Sequence, residues 1–384
     1  MVPVQTAHTR KQDAATAVRD IRQQLDRPVD TSLILFYCSP DYDLPRLEEA
    51  LRQAWPETPV VGCTTAGELG SLGYTDRSLV AIAFPASQFA FNPLLLSGLS
   101  QLSIQDIRDQ AHAAKQALYQ QHDAEVLAHC FALLLIDGLS RCEEPLTRTL
   151  HNSLPGIPII GGSAGDNLRF ERTLVYQGGC FHEDSALVLV AGTACPIHCF
   201  KVQHFQATEQ RMVVTGADVP GRRVTEINGL PAAREYARLT GVAVDNLNPM
   251  RFAASPVVVL INGREYVRSI QQANADGSLT FYCAIEEGLV FRVARGVDIL
   301  NNLHQALETE TRDLDLQVIL AFDCVLRKLE VEDKALRPAY SDLLRRFHVL
   351  GFNSYGEQYN GIHVNQTFTG LAFGHPEVPE ATDE

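Results

Sequence analysis

The sequence predicts an α/β protein: mixed sheets flanked by helices, internally repeated strand–helix–strand units, and an antiparallel meander in the C-terminal half. Three observations carry that expectation. First, one short pattern occurs three times: VVGCTTAGELG from Val60, IIGGSAGDNL from Ile159 and VLGFNSYGEQY from Val349. In each, two aliphatic residues run into a glycine, small or polar residues follow, and Gly-Glu or Gly-Asp closes the run. Second, the flanks repeat. Apolar runs precede the copies (LILFYC from Leu33, LLLID from Leu133, VILAFD from Val318) and follow them (SLVAIAF from Ser78, ALVLVAG from Ala186, FTGLAFG from Phe368). The spacing is too long for a solenoid repeat and points to duplicated units. Third, short strand-like runs between Val257 and Val293 are punctuated by Asn262-Gly263 and Asp276-Gly277, which are hairpin turn dipeptides.

Taken in order, Asp13 to Leu25 has helical apolar spacing and ends before Pro28. Leu33 to Cys38 is a buried strand, Pro45 to Trp55 a helix, and Val60-Val61 opens a strand that gives way to a small-residue loop over Gly62 to Gly73. Leu79 to Phe84 is a strand and Gln105 to Gln121 an amphipathic helix. Phe131 to Ile136, a helix near Glu144 to Asn152, and Ile157 to Gly165 repeat that order. Val175 to Cys180 and Ala186 to Ala191 read as a hairpin. Cys195 to Val214 is strand-like, Val224 to Ile227 is a strand turned by Asn228-Gly229, and Pro231 opens a helix to Leu239. After the meander come a helix over Asp298 to Arg312, a strand over Leu316 to Phe322, a helix over Ala335 to Phe347, and the closing repeat to Phe373. The tail from His375 to Glu384 is acidic, contains proline and reads as disordered. The boundary between two domains falls within Thr215 to Ala232, giving 30–225 and 226–374.

Composition narrows the function classes. The 384 residues are 46% hydrophobic and 20% charged, as in an ordinary globular protein. A net charge of -14 argues against nucleic acid, whose phosphates need clustered Lys and Arg. No apolar run is long enough to span a membrane, and the first residues lack an apolar signal core, so the expected location is the cytoplasm. Nine cysteines, several inside apolar strand runs, fit buried reduced thiols rather than a disulfide framework.

Motifs for catalysis are thin, and no enzyme is expected. Gly161, Ser163 and Gly165 match GxSxG literally, but Asp166 follows at once, which is not the triad order. Glu68, Asp166 and Glu357 either cap local backbone amides or grip a ligand amine. None of the twelve histidines has zinc-ligand spacing. His8, His112, His122 and His375 sit in polar or terminal surroundings and read as solvated. His198, His204 and His363 sit next to strand-type apolar residues instead. A haem pocket needs one imidazole among aromatic and aliphatic walls, and His204, between Val202 and Phe205, has such neighbours. On a regular strand His198 and His204 would share one face. Cys195, before Pro196, is a lower-ranked thiolate candidate.

GCTTAGELG, GGSAGD, EINGLPAAREYA, FDCVLRKLE and LGFNSYGE…HVNQTFTGLAFG together resemble the FIST proteins, bacterial signal-transduction sensors with FIST N and FIST C domains. The likeness covers roughly residues 30 to 374. Within that family, CPIHCFKVQHFQA followed by REYAR is similar to the NosP-type nitric-oxide-sensing haemoproteins. That resemblance implies haem b, nitric oxide as the ligand, and a partner histidine kinase linked to biofilm and cyclic-di-GMP control. His204 is then the axial-ligand candidate on iron, with His198, His363, Phe205 and Cys195 as further pocket residues. The alternative is a haem-free FIST sensor of a small, amino-acid-like molecule, held by Glu68, Arg268 or Glu357. A homodimer is left open.

Overall fold

The computed structural model describes residues 3–25, 30–261 and 263–376. Its framework is one unit used three times. Copy 1 contains β1 (Gln5–Thr9), α1 (Ala14–Gln24), β2 (Thr31–Cys38), α2 (Leu44–Ala54), β3 (Val60–Thr64), a small hairpin of β4 (Glu68–Gly70) and β5 (Gly73–Thr75), and β6 (Leu79–Pro85). Copy 2 contains β7 (Phe89–Ser97), α3 (Ile104–Gln121), β8 (His129–Ile136), α4 (Glu143–Ser153), β9 (Ile159–Ser163), the hairpin β10 (Val175–Gln177) and β11 (Cys180–His182), and β12 (Ser185–Thr193).

Copy 3 starts with β13 (Ile197–Val202) and is then interrupted by an inserted module. The module contains β14 (Phe205–Asp218), β15 (Arg223–Ile227), β16 (Leu230–Pro231), α5 (Ala232–Thr240), α6 (Pro249–Ala254), β17 (Val257–Ile261), β18 (Arg264–Arg268), β19 (Ile270–Ala273), β20 (Leu279–Phe281) and β21 (Val290–Gly296). Copy 3 resumes with α7 (Ile299–Thr311), β22 (Leu316–Cys324), α8 (Val325–Asp333), α9 (Arg337–Arg346), β23 (Val349–Ser354), the hairpin β24 (Glu357–Tyr359) and β25 (Ile362–Val364), and β26 (Phe368–Gly374).

The pairing is the same in every copy. The strand before the second helix runs parallel to the strand after it (β2 with β3, β8 with β9, β22 with β23) and antiparallel to the closing strand (β6, β12, β26). The opening strand lies on the far side of the closing strand. The hairpin does not stay at home. Hairpin β4–β5 of copy 1 pairs with β23 of copy 3, β10–β11 of copy 2 with β3 of copy 1, and β24–β25 of copy 3 with β9 of copy 2. The exchange is cyclic and completes three six-stranded sheets of identical order.

Packing explains the near-continuous apolar runs. Leu35 and Tyr37 of β2, Leu133 and Leu135 of β8, and Leu320 and Phe322 of β22 converge on one central core, so the three sheets face inward together. Their outer faces are covered by α1 and α2, α3 and α4, and α7 and α9 respectively. Strands buried on both faces read as unbroken hydrophobic runs. The repeated glycine has a steric cause. A Cβ on Gly62, Gly161 or Gly351 would lie 2.2, 1.9 or 1.8 Å from the carbonyl oxygen of Phe36, Leu134 or Ala321 on the neighbouring parallel strand.

The repeated loops meet where the exchange closes. Gly165 N donates to Thr64 O (3.0 Å), Tyr355 N to Ser163 O (3.1 Å) and Ala66 N to Asn353 O (3.0 Å), a ring running from copy 2 to copy 1, copy 3 to copy 2 and copy 1 to copy 3. The module has its own core, including Met212, Phe252, Phe281 and Phe291, and Val364 of the copy 3 hairpin belongs to that core as well.

Several sequence expectations need correction. The stretch 62–73, expected as loop, is strand over 62–64 and over 68–70, with β5 beginning at Gly73, because the β4–β5 hairpin finds a partner on another copy. Val175 and Ala186 do not face each other in a hairpin: β10 turns onto β11, while β12 pairs with β7 and β8 in a different sheet. His8 is buried rather than solvated, with Nε2 2.9 Å from Thr75 Oγ1, and burial followed by the nearby Arg10 lowers its pKa to about 4. The antiparallel module is as expected. Asn262 and most of the tail, 377–384, fall outside the described residues.

Candidate functional site: the junction of hairpin, loop and module

Besides the inserted module and the extra helix of copy 3, the copies differ in the connection that leads into each hairpin. In copy 1 the second parallel strand passes to its hairpin through three residues, 65–67, and in copy 3 through two, 355–356. In copy 2 the corresponding connection, residues 164–174, is longer. Asn167, Leu168 and Phe170 in it have φ of 58, 63 and 54°, the left-handed region that non-glycine residues rarely adopt. Such conformations persist only where surrounding contacts impose them. Here the Asp166 carboxylate accepts from Phe170 N (2.9 Å), Glu171 N (2.7 Å) and Arg172 N (2.9 Å). The Tyr355 hydroxyl donates to the same carboxylate and accepts from Leu168 N at 2.7 Å. Burial alone would raise the Asp166 carboxyl, but these donors hold it below its ordinary range. The Phe170 ring stacks on Tyr355 at 4.9 Å and reaches Tyr282 of the module at 6.3 Å.

Asp166 is therefore not the counterpart of Glu68 and Glu357. Those two carboxylates are matched atom for atom. Glu68 accepts from Thr65 Oγ1, Ser78 N (3.0 Å) and Ser78 Oγ (2.5 Å); Glu357 accepts from Ser354 Oγ (2.6 Å), Thr367 N (3.2 Å) and Thr367 Oγ1 (2.6 Å). Both are fully buried, and every one of these partners is local, so capping rather than ligand gripping describes them.

Beside the copy 2 loop, hairpin β24–β25 bridges the framework and the module. Arg268 Nη1 of β18 donates to the His363 carbonyl at 3.1 Å. The His363 ring lies against Gly356, where a Cβ would come within 2.3 Å of its Cε1 and 3.1 Å of Asn365 Nδ2. His363 Nδ1 is 3.3 Å from Gln358 Nε2, and burial lowers the imidazole to about 4, so it is neutral at pH 7. At the start of α4, Glu143 and Glu144 receive Arg222 Nη2 at 2.9 and 2.8 Å, and Glu144 Oε1 also accepts Ala284 N at 2.7 Å. Copy 2, copy 3 and the module thus meet in one polar junction.

Four of its side chains have buried polar atoms without a partner: both amide atoms of Asn365, Gln366 Nε2, Gln358 Oε1 and Ser269 Oγ. Each of these residues is 1% exposed or less. An unpaired buried polar group costs about 1–3 kcal/mol, and buried polar groups are ordinarily satisfied.

Of the haem candidates, His363 is the buried junction histidine described above; His204 with Phe205, His198 and Cys195 lie elsewhere. His204 is in the break between β13 and β14 and is 1% exposed. Arg327 Nη1 donates to its Nδ1 at 2.9 Å, so Nε2 carries the proton and donates to Glu330 at 2.7 Å. Burial, more than any neighbour, lowers its pKa. Arg327 is itself fully buried, between Asp323 Oδ1 (2.7 Å) and Tyr340 OH (3.0 Å). Phe205 does lie over the His204 ring, centroids 4.1 Å apart. The adjoining cavity, walled by Phe205, Met250, Ala254 and Gly296, is about 130 Å³, well under the roughly 300–1,000 Å³ usual for a ligand of that size. With both ring nitrogens committed and so little space beside them, these residues do not fit a haem.

His198 does not join His204, because the strand break separates them: His198 is on the surface, 2.7 Å from Glu310 of α7. Cys195 is a buried thiol 3.4 Å from Gln88 Oε1, and burial pushes it away from thiolate. Ser163 is no nucleophile elbow; it lies in β9 and accepts from Gln358 Nε2 at 2.9 Å. Among the described residues no group of three or more His, Cys, Asp or Glu side chains could hold a metal ion, and no helix is long and apolar enough to cross a membrane.

Sequence reasoning named Arg268 and His363 but missed Asn365, Gln358, Ser269 and Arg222. The run GIHVNQ carried a signal, two amide side chains directly after strand-type residues; only the fold reveals that they are buried.

Residues 32–230 match the family model described as the FIST N domain, and residues 232–360 match the one described as the FIST C domain. The two matches meet within the module, between β16 and α5. No curated protein matches the chain. Among solved structures, the chain is similar to one described as the structure of PurLQS from Thermotoga maritima, at 11% identity over 97% of this chain and 72% of that one, with a TM-score of 0.21. A likeness that low carries no argument.

Proposed function

Because the chain belongs to the FIST family of sensory signal-transduction domains, we propose that it is a sensor of a small, polar, amino-acid-like molecule received at the junction of the copy 2 loop, hairpin β24–β25 and the module. The observation that carries this reading is Asn365, 1% exposed, with neither amide atom partnered. An amide offers a donor and an acceptor together, which suits a ligand with both a carboxylate and an amine. Arg268 supplies a cation on the module side for the carboxylate, and the Phe170–Tyr355–Tyr282 rings supply the apolar wall.

Signalling follows from what the hairpin touches. β25 contributes Val364 to the module core while β24 pairs with β9, so a ligand held here bears on both bodies. A ligand biases such an arrangement only through its different affinities for two states. The loop with positive φ at Asn167, Leu168 and Phe170 is the element with stored strain to release. A partner histidine kinase, which the NosP-type resemblance of CPIHCFKVQHFQA and REYAR implies, would receive the output.

The test is calorimetric titration with amino acids and dicarboxylates, repeated on Asn365→Leu. Saturable binding of one of them to the wild type, lost in the variant while its circular dichroism spectrum is kept, supports the reading. No binding by any, or equal binding by the variant, overturns it. Haem-based nitric-oxide sensing is the second reading. It rests on the CPIHCFKVQHFQA and REYAR stretches, and a protein that stays colourless after incubation with excess hemin rules it out.

A further inference from the structure

The cyclic exchange of hairpins creates three equivalent seams, each where a hairpin crosses onto a neighbouring copy beside the end of its second helix. The seams are not alike. Where β24–β25 crosses onto β9, His151 fills the space: a Cβ on Gly361 would come within 2.8 Å of its Cδ2. Where β4–β5 crosses onto β23, a cavity of about 330 Å³ remains between Gly70, Gln317, Arg345 and His348. Where β10–β11 crosses onto β3, the cavity is about 460 Å³, within the range of small-molecule sites, and its walls are Trp55, Pro56, Pro59, Pro93 and Tyr176.

Two polar groups are fixed in that third seam. The Arg52 side chain crosses Gly179 and donates from Nη1 to the Gly179 carbonyl, which holds the guanidinium at the rim. Gln177 donates from Nε2 to Pro93 O at 3.4 Å, and its Oε1 is buried without a partner. An oriented cation, an unpaired acceptor and flat apolar walls specify a complementary molecule: one that carries an anion, a hydrogen-bond donor and a planar ring.

We propose that this seam is a second ligand site, separate from the junction, and that it takes planar aromatic acids bearing a ring hydroxyl or N–H. The ring lies along Trp55 and the prolines, the carboxylate meets Arg52, and the ring donor satisfies Gln177 Oε1. Trp55 is the only tryptophan in the chain, so its emission reports directly on the seam.

Salicylate, benzoate and cyclohexanecarboxylate are the probes, titrated into the full chain and followed by Trp55 emission and by calorimetry. Salicylate is expected to saturate, benzoate to bind more weakly for want of the hydroxyl, and cyclohexanecarboxylate not to bind. Arg52→Gln is expected to weaken salicylate by about tenfold or more, the loss of a charge-assisted hydrogen bond. Gln177→Leu, which leaves the guanidinium in place, is expected to erase the preference for salicylate over benzoate. Asn365→Leu is expected to leave all three results unchanged, which keeps this site distinct from the junction. Absence of a saturable change at about 1 mM salicylate, or an unchanged affinity in Arg52→Gln, would overturn the proposal.

Discussion

Replacing Glu357 by Gln isolates the energetic cost of closing copy 3 around a buried acid. Burial, with Asp323 nearby, raises the carboxyl from its ordinary 4.5 to about 8 despite hydrogen bonds from Ser354 and Thr367. Below pH 4.5 the folded and unfolded chains both carry it protonated. Between 4.5 and about 8 the unfolded chain ionises while the folded one does not, so stability falls as pH rises through that window. At about 1.4 kcal/mol per pH unit, the full loss is about 5 kcal/mol. Gln can place its amide NH2 on Ser354 Oγ and its oxygen on the Thr367 donors, keeping the local geometry without the titration. Urea unfolding across the window, followed by circular dichroism, should show the wild type weakening with rising pH and Glu357→Gln weakening much less. Parallel curves for the two proteins would refute the reasoning. The equivalent acid of copy 1, Glu68, reaches only about 7, because its hydrogen-bond donors are joined by the attraction of Lys328. Glu68→Gln should therefore remove a smaller slope, about 3 kcal/mol in all.

Two other substitutions probe the sites. Tyr355→Phe removes the hydroxyl that donates to Asp166 and receives Leu168 N; a loss of about 1–3 kcal/mol is expected, with earlier proteolytic cleavage inside residues 166–173 as the readout. His204→Ala strips Arg327 Nη1 and Glu330 of a buried partner and should cost about 1–3 kcal/mol in urea unfolding, while hemin-treated wild type and variant should give the same absorption spectrum.

The threefold framework was legible because its cause is steric and local. Gly62, Gly161 and Gly351 each face a carbonyl too close for any side chain, and the strands beside them are buried on both faces. The exchange of hairpins was not legible. Leu69 and Tyr74 are the same residues whether β4–β5 pairs with its own copy or with copy 3, and nothing in a local pattern encodes a partner as distant as Gly351. Asp166 misled for a related reason: Gly-Asp looks like Gly-Glu, but the longer connection moves it off the position that Glu68 and Glu357 share. What engages the His204 ring nitrogens was invisible in sequence, since Arg327 and Glu330 reach it from α8, more than a hundred residues away. At the junction, Arg268 was legible as a charged residue in a strand, whereas Asn365 and Gln358 became notable only through burial.

The cyclic pairing of β4 with β23, β10 with β3 and β24 with β9 also bears on how such a chain can be divided. A fragment limited to residues 32–230 would leave β9 without β24, β13 without β26 and β4 without β23, each an open sheet edge ready to recruit a foreign strand. The same architecture is what three identical subunits, joined by swapped arms into a ring, would become once fused end to end. Separating the two matched halves therefore cuts across the weave rather than between modules.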